Sequence, residues 1–265
     1  MKIAIIGAGN MGGALARGLA RSKEFKGSNL HVANPHEGKL QQLKAEHPDI
    51  VTFTDNKQAV KDANWILLAV KPWKVKEVLK ELKPVIDYDR QVLLSVAAGI
   101  KTHDLAEMLD EDGQAPLPIF YVMPNTAVAV GSGMTLLTST NSTPQLDREV
   151  TNVFALTGRA LYMDERLMDA GMVLSGCGIA YAMRYARASV EGGIELGLSP
   201  QEALGIVLQT MRGAADLLQT TEGHPEVEID KVTTPGGITI RGLNAMEQAG
   251  FTAAVIKGLK AGLQQ

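Results

Sequence analysis

The sequence predicts an α/β domain with a mainly parallel sheet, followed by an all-helical domain. Short apolar, β-branched runs alternate with segments of helical spacing up to about residue 163, as in parallel sheets that helices cover on both faces. No convincing strand follows, and the rest of the chain is rich in alanine, glycine and methionine at helical spacing. We therefore predict two domains, residues 1–163 and residues 164–265.

The first predicted strand, residues 2–6, runs directly into a glycine-rich turn. Gly7, Gly9 and Gly12 have the spacing G-x-G-x-x-G, and helical periodicity begins at Asn10. In the dinucleotide fingerprint the first glycine permits a tight turn, the second lets the backbone approach a pyrophosphate, and the third lets the helix pack on the strand. An ordinary turn can also use glycines, but a strand before the motif and a helix after it favour an NAD(P)-binding Rossmann-type domain.

The second predicted strand, residues 29–33, ends at Asn34. NAD-specific proteins usually carry an acidic residue here, which binds the ribose 2′-hydroxyl. Without that carboxylate a 2′-phosphate is not repelled, so NADP(H) is preferred and NAD(H) stays an alternative. No arginine stands beside Asn34 to hold the phosphate, and Glu37 is close in sequence. Asn34 could equally cap a helix that begins near Pro35, and both interpretations are compatible.

Further strands and helices follow in alternation. The Asp55-Asn56 pair resembles a helix cap, and Lys71-Pro72 ends a strand at the carboxyl edge, where open α/β sheets bind ligands. Small residues from Ala97 onward would let a nicotinamide ring approach the backbone, or would form a plain turn. Strands are predicted at residues 51–53, 65–70, 92–96 and 119–123, edge strands at 133–137 and 160–163, and helices at 57–63, 75–82 and 144–156.

In the helical half, Ser199 and Pro200 predict a helix start, and a helix is expected over residues 201–219. Residues 175–178, Ser-Gly-Cys-Gly, predict an interruption of the preceding helix. Shorter helices follow, one of them ending at Lys231.

The composition excludes several classes of protein. The chain has 265 residues, 45% of them apolar, and a net charge of −3 without a basic tract, so nucleic acid and anionic membranes are not expected partners. No apolar run approaches the roughly twenty residues that span a bilayer. The first strand leaves no room for a signal peptide, and the single cysteine, Cys177, fits a reducing compartment. We expect a soluble, cytoplasmic protein without a metal site.

A second glycine-rich segment, residues 233–239, is a candidate anion site. Its proline sets a turn, Gly236 and Gly237 expose backbone N–H groups, and a helix follows. Such a helix N-terminus binds a carboxylate without lysine or arginine, and Thr234 and Thr239 add hydroxyls. A capped helix after a Pro-Gly turn explains the spacing equally well.

Other polar residues of the helical half have simpler interpretations. His224 precedes a proline in a polar loop and fits a turn, whereas Glu165 and Asp169 fit a solvated helix edge. Cys177, between two glycines, fits a small packing residue.

Five segments of the chain resemble pyrroline-5-carboxylate reductase, in order and at the family's spacing. The last of them is highly specific, whereas many dehydrogenases share the first. They lie at residues 7–12, 69–72, 123–126, 175–178 and 230–243. The resemblance implies hydride transfer from NAD(P)H to the C=N bond of 1-pyrroline-5-carboxylate, which gives L-proline, the last step of proline biosynthesis. It also implies that the helical domain binds substrate and dimerises, as a homodimer or a ring of dimers.

The resemblance further implies a role for individual residues. The pyrophosphate would lie on the first loop, Asn34 at the adenosine ribose, Asn56 near the adenosine and Ala97 by the nicotinamide. The implied cofactor-binding residues are Gly7, Ala8, Gly9, Asn10, Met11, Gly12, Asn34, Asn56, Ala69, Val70, Lys71, Pro72 and Ala97.

On the substrate side, the resemblance implies that backbone N–H groups of Gly236, Gly237 and Ile238 hold the carboxylate. The Thr239 hydroxyl would bond the ring nitrogen as the catalytic group, with Thr234 beside it. The chain departs from the family's usual residues at Tyr121, Ile179, Lys231 and Thr234, of which only the last keeps the usual hydroxyl.

Two rival functions make different predictions. A reductase of the β-hydroxyacid dehydrogenase type uses a helix-borne lysine as its acid, and residues 165–223 contain no lysine. A non-catalytic NADP-binding regulator would have a degraded substrate loop, whereas residues 234–239 are complete.

Overall fold

The computed structural model describes residues 1–110 and 116–263, and these form two compact units that meet in the chain between Gly176 and Cys177. Residues 164–176, expected in the helical domain, belong here to the first unit. The domain boundary between residues 163 and 164 stays a prediction.

The first unit is built on one eight-stranded sheet in the order β3-β2-β1-β4-β5-β6-β7-β8. All neighbouring strands are parallel except β6 and β7. The mainly parallel sheet is therefore confirmed. The strands are β1 Ile3–Ile6, β2 Leu30–Ala33, β3 Val51–Phe53, β4 Trp65–Leu68, β5 Val92–Ser95, β6 Ile119–Pro124, β7 Gly133–Thr140 and β8 Gly158–Tyr162.

Helices cover both faces of this sheet, as the uninterrupted apolar strands predict. Ile3 and Ile5 of β1 join one buried core, whereas Ala4 and Ile6 join the core on the opposite face. The helices of this unit are α1 Asn10–Arg21, α2 Glu37–Glu46, α3 Asn56–Val60, α4 Pro72–Leu82, α5 Thr102–Leu109, α6 Pro144–Ala155 and α7 Met168–Met172.

Two elements differ from the prediction. Helix α5 was not predicted, and its N-terminus is held by a carboxylate, since Lys101 N–H donates to Asp104 Oδ2 at 2.8 Å. The interruption predicted at residues 175–178 takes the form of a π-helical turn, Val173–Cys177, which separates α7 from the helix that begins at Gly178. The chain stays helical through this turn, with a wider hydrogen-bond pattern than an α-helix.

The described part of the second unit contains helices and no strand. Ser199 caps α9 as predicted: its Oγ accepts the Glu202 N–H at 3.3 Å, and Glu202 Oε2 accepts the Ser199 N–H at 3.1 Å. No helix in the described residues is both long and apolar enough to cross a membrane. The helices are α8 Gly178–Glu195, α9 Pro200–Thr221, α10 Pro225–Lys231, α11 Ile238–Gln248 and α12 Phe251–Ala261.

Candidate functional site

The carboxyl ends of β1, β2, β4 and β5 form one edge of the sheet. Ile6 lies in register with Ala33 and Leu68, and Leu68 with Ser95. The residues that follow these ends are Gly7, Asn34, Ala69 and Val96, so the structure brings four of the predicted cofactor loops together. The adjacent strands β1 and β4 form the switch point of the sheet, where open α/β folds bind ligands.

Of the three glycines of the first loop, Gly7 and Gly12 have no room for a side chain, whereas Gly9 has open space beside it. Gly7 has φ +107°, and a Cβ there would lie 2.6 Å from the Ala69 carbonyl oxygen. A Cβ on Gly12 would collide with the carbonyl oxygen of Gly7. Gly9 begins α1 as its N-cap, and nothing lies within 4 Å of the place where its Cβ would stand. The N-terminus of α1, with Asn10 and Met11 in its first turn, is open at Gly9.

Asn34 connects this loop to the end of β2. Its Oδ1 accepts the Ala8 N–H at 3.2 Å, and its Nδ2 donates to the His36 carbonyl at 2.9 Å. The side chain is buried. The alternative that Asn34 caps the next helix is wrong, because α2 begins at Glu37 with His36 as its N-cap. Asn34 instead holds the shape of the glycine-rich loop.

A cavity of about 200 Å³ lies between the glycine-rich loop and α2. Sequence reasoning missed its basic side chains, Arg17 and Lys39, because neither is next to Asn34 in the chain. The cavity is lined by Ala8, Gly9, Asn10, Gly13, Arg17, Lys39, Gln42 and Leu43.

The cap predicted at Asp55-Asn56 is confirmed for Asp55, whose Oδ1 accepts the N–H groups of Lys57 at 2.8 Å and Gln58 at 3.3 Å. Asn56 is the first residue of α3, and its Nδ2 donates to Glu81 Oε2 at 3.0 Å. Its amide nitrogen thus binds α4, and the adenosine role of Asn56 stays a prediction.

At the end of β4, Ala69 extends the ladder by donating its N–H to the Ile6 carbonyl at 2.8 Å. Val70 precedes Lys71, the N-cap of α4, and Pro72 occupies the first helical position, where its missing N–H costs nothing. The Lys71 Nζ lies 5.9 Å from the ring centroid of Trp73, within the range of a cation–π contact.

The loop after β5 is anchored at three points. Ala97, which is buried, donates its N–H to Ser95 Oγ at 3.2 Å, and Gly99 donates its N–H to the Tyr121 hydroxyl at 3.2 Å. Thr102 donates its N–H and its hydroxyl to Glu165 Oε1 at 2.9 and 3.1 Å. The solvated-edge interpretation of Glu165 is therefore wrong.

Tyr121 is among the largest fully enclosed side chains, with 2% of its surface exposed. Burial raises the pKa of its hydroxyl above the ordinary value, against the opposing effect of the Gly99 N–H. The hydroxyl is therefore neutral at physiological pH. The sequence singles out Tyr121 only as a departure from the family's usual residue, and it does not predict the contact of Tyr121 with the loop after β5.

Two of the sequence motifs meet at Asn125. Its Oδ1 accepts the N–H groups of Ala127 at 3.2 Å and Met134 at 3.3 Å, and its Nδ2 donates to the Ser175 carbonyl at 3.3 Å. Ser175 lies in the π-helical turn, and such turns are frequent at functional sites. The asparagine of the Pro-Asn-Thr motif is therefore hydrogen-bonded to the first residue of the Ser-Gly-Cys-Gly motif.

In the second unit, residues 234–237 form a type II turn. The Thr234 carbonyl accepts the Gly237 N–H at 2.9 Å, and Gly236 has φ +70°, as this turn requires. Gly237 is the N-cap of α11 without a side-chain cap, so the N–H groups of Ile238 and Thr239 point out of the helix start unpaired within the helix. The side chains of Thr234 and Thr239 are both exposed.

His224 has a structural role at the start of α10. His224 Nδ1 accepts the Glu226 N–H at 3.2 Å and caps α10, in agreement with the turn interpretation. Within the described residues no group of three or more histidine, cysteine, aspartate or glutamate side chains is arranged to hold a metal ion.

Two family models match the chain. Residues 165–265 match a model described as pyrroline-5-carboxylate reductase dimerisation. Residues 2–99 match a model described as NADP oxidoreductase, coenzyme F420-dependent. The two matched ranges contain the two glycine-rich helix starts.

Several curated relatives are similar over nearly the whole chain. Pyrroline-5-carboxylate reductase 1 of Dictyostelium discoideum is 35% identical over 97% of this chain, which spans 48% of that relative's length. Pyrroline-5-carboxylate reductase of Arabidopsis thaliana is 34% identical over 98% of this chain and 92% of its own length. That of Aquifex aeolicus (strain VF5) is 35% identical, over 97% and 93% respectively.

Solved structures give the same result. The crystal structure of Plasmodium falciparum pyrroline carboxylate reductase with NADP bound has a TM-score of 0.87 and 28% identity, over 99% of this chain and 95% of that chain. A pyrroline-5-carboxylate reductase from Coxiella burnetii has a TM-score of 0.88 and 28% identity, over 99% and 96%.

Proposed function

The chain belongs to the pyrroline-5-carboxylate reductase family, and from this premise we propose that it reduces 1-pyrroline-5-carboxylate to L-proline. A hydride passes from the nicotinamide to the C=N carbon, and the ring nitrogen carries or takes up a proton. This is the last step of proline biosynthesis. The observation that carries the proposal is the presence of two open glycine-rich helix N-termini, at Gly9 and at Gly237, one in each unit. Each suits an anion, the first a pyrophosphate and the second a carboxylate.

The cofactor is a nicotinamide dinucleotide, and the first loop is the place we assign to its pyrophosphate. The space at Gly9 admits the phosphates to the unpaired N–H groups of α1, while Asn34 keeps the loop in shape. Ala69 to Pro72 would follow the cofactor, and Ala97 would lie by the nicotinamide. NADP(H) is the preferred cofactor, because the position of the usual ribose-binding acid is occupied by an amide. NAD(H) remains the alternative.

The substrate carboxylate is assigned to the N-terminus of α11. The N–H group of Gly237 is engaged in the turn at 2.9 Å, so the donors are the N–H groups of Ile238 and Thr239, with Gly236 setting the shape of the turn. The Thr239 hydroxyl would bond the ring nitrogen, and Thr234 lies three residues before the N-cap, Gly237. An imine that is already protonated needs little help from an acid, which agrees with a site built without histidine.

The function is tested by following NADPH and NADH oxidation with 1-pyrroline-5-carboxylate beside a panel of 2-keto and 3-hydroxy acids. We expect turnover of the cyclic imine with release of L-proline and no comparable turnover of the acids. Absence of turnover of the imine with both cofactors would contradict the proposal.

We infer self-association from the exposed apolar side chains of the second unit. Its only buried apolar side chains, in the described residues, are those of Ala186, Val190 and Ala203. Large apolar side chains are exposed instead, for example Leu196 at 87% and Ile238 at 79%. Exposed apolar surface on this scale marks an interaction surface, and the match to the dimerisation model supports a second copy as the partner. We propose a homodimer, with a ring of dimers as a larger assembly.

A cytoplasmic location, favoured by the single cysteine, stays a prediction.

A further inference from the structure

We propose that Arg17 and Lys39 bind the 2′-phosphate of NADPH and thereby set the cofactor preference. This inference rests on the proposed function, since it concerns the same cofactor site. Its starting point is the cavity of about 200 Å³ between the glycine-rich loop and α2. One wall is formed by the loop backbone and the start of α1, and the facing wall by Lys39, Gln42 and Leu43 of α2.

Arg17 is held in this cavity from two sides. A Cβ on Gly13 would lie 3.1 Å from Arg17 Nη1, so the guanidinium lies over a residue whose missing side chain leaves room for it. On the other side, Nε and Nη2 donate to the Glu46 carboxylate, the latter at 3.1 Å, and Gln42 Nε2 donates to Glu46 Oε1 at 3.2 Å. Glu46 thus orients the guanidinium. Among the hydrogen bonds of the described residues, Nη1 takes part in none.

Lys39 supplies a second charge. It lies in the first turn of α2, its side chain is exposed, and it belongs to none of the ion pairs found in the described part of the chain. Arg17 and Lys39 together bring two positive charges to the cavity, and Glu46, which is paired with Arg17, brings one negative charge. A phosphate monoester carries about −1.5 to −2 charges at neutral pH. A phosphate entering the cavity would therefore find a net positive charge and uncommitted N–H donors.

The position of the cavity selects the 2′-phosphate over the pyrophosphate. Asn34, the residue at the ribose-binding position, bonds Ala8, and Ala8 lines the cavity. The cavity therefore lies beside the ribose-binding position, on the α2 side, where NADP-dependent folds of this class place a basic side chain. The pyrophosphate, common to both cofactors, has the N–H groups of α1. Only contacts to the 2′-phosphate distinguish NADPH from NADH.

The test compares Lys39→Ala, Arg17→Ala and the control Lys44→Ala, an exposed lysine of α2 that does not line the cavity. Dissociation constants are measured for NADPH and NADH on the free protein, and for 2′,5′-ADP and 5′-AMP as probes of the phosphate alone. Losing a hydrogen bond to a charged group should weaken NADPH and 2′,5′-ADP binding about 10- to 100-fold. The binding of NADH and 5′-AMP should stay unchanged in both variants. In the control Lys44→Ala, the dissociation constants of all four ligands should stay unchanged.

Equal weakening of NADPH and NADH would place the two side chains at the pyrophosphate and overturn the inference, as would unchanged binding of all four ligands. If Arg17→Ala fails to fold, Lys39→Ala alone decides. Because these are binding measurements, they remain decisive when the assay with 1-pyrroline-5-carboxylate shows no turnover. Failure of the inference and failure of the proposed function are therefore distinguishable.

Discussion

At the scale of single residues, Gly9 and Gly12 of the first loop have opposite requirements. A side chain at Gly12 would collide with the backbone of Gly7, and backbone cannot move away as a flexible side chain can. A side chain at Gly9 meets nothing within 4 Å, and its backbone, at φ −71°, is open to any residue. The space beside Gly9 is where we assign the pyrophosphate.

We therefore expect Gly12→Ala to destabilise the protein by about 1–3 kcal/mol, the usual cost of overpacking. Gly9→Ala should leave the thermal midpoint unchanged and weaken binding of both NADPH and NADH, because its methyl group occupies space needed by the phosphates. Thermal unfolding and cofactor titration measure the two effects. An unaltered midpoint for Gly12→Ala, or full cofactor affinity for Gly9→Ala, would refute the respective role.

Thr239 offers a test of the substrate site at the same scale. Thr239→Ala removes the hydroxyl assigned to the ring nitrogen, and we expect kcat/KM for the imine to fall about 10²-fold or more. Cofactor affinity should be retained, since the residue is assigned to the substrate. Thr239→Ser keeps the hydroxyl and should restore most of the activity. Loss of NADPH binding in Thr239→Ala would show that the assigned role is wrong.

At the scale of elements, the loop after β5 depends on side chains from other parts of the fold. Gly99 is bonded to Tyr121 of β6, and Thr102 at the start of α5 to Glu165. The loop assigned to the nicotinamide is therefore held by a strand on one side and by an acidic side chain on the other.

Tyr121→Phe tests this support. It leaves the Gly99 N–H without its partner, and we expect a loss of about 1 kcal/mol in the free energy of unfolding. A less ordered loop should also raise KM for NADPH and lower kcat. The matched control is Tyr162→Phe, which removes a hydroxyl bonded to Ser139 Oγ at 2.8 Å on the last strand of the sheet. If both variants alter the kinetic constants alike, Tyr121 has no specific positioning role.

The π-helical turn is another feature of this scale. Widening of the helix at Val173–Cys177 removes the regular partner of some carbonyl groups, and Asn125 supplies one for Ser175 at 3.3 Å. The two residues are 50 positions apart in the chain. This contact joins the turn after β6 to the π-helical turn.

At the scale of the whole molecule, the second unit buries few apolar side chains, and in its described residues these are only Ala186, Val190 and Ala203. Its exposed apolar residues include Leu204 at 46% and Leu208 at 53%, one turn apart on α9. Helices that expose such residues gain stability by burying them against another subunit. The dimer is thus expected to be a condition for a stable second unit.

We predict that Leu204→Glu combined with Leu208→Glu shifts the protein to monomers in sedimentation velocity and abolishes turnover of the imine. Placing two carboxylates in an apolar interface leaves charges buried without partners. The control is Gln209→Glu, an exposed polar position of α9 that adds one charge. A wild-type protein that sediments as an active monomer at assay concentration, or a double variant that remains a dimer, would contradict the prediction.

Much of this organisation was predictable from the sequence because it depends on local chemistry. The parallel sheet follows from apolar strands that alternate with helices, the turn at Gly7 from a glycine that adopts φ +107°, and the cap at Ser199 from a capping box of four residues. The family, too, is readable from motifs that are contiguous in the chain.

Other features depend on contacts between residues that are distant in sequence, and only the tertiary structure decided them. Arg17 meets Glu46 across 29 positions, and Thr102 meets Glu165 across 63. The sequence left Asn34 with two compatible roles, and the start of α2 at Glu37, with His36 as its N-cap, decided against the helix cap. Local propensity specifies how each segment folds, whereas packing of the strands and helices determines which side chains become neighbours. The glycine-rich loop was therefore predictable, and the basic cavity beside it was not.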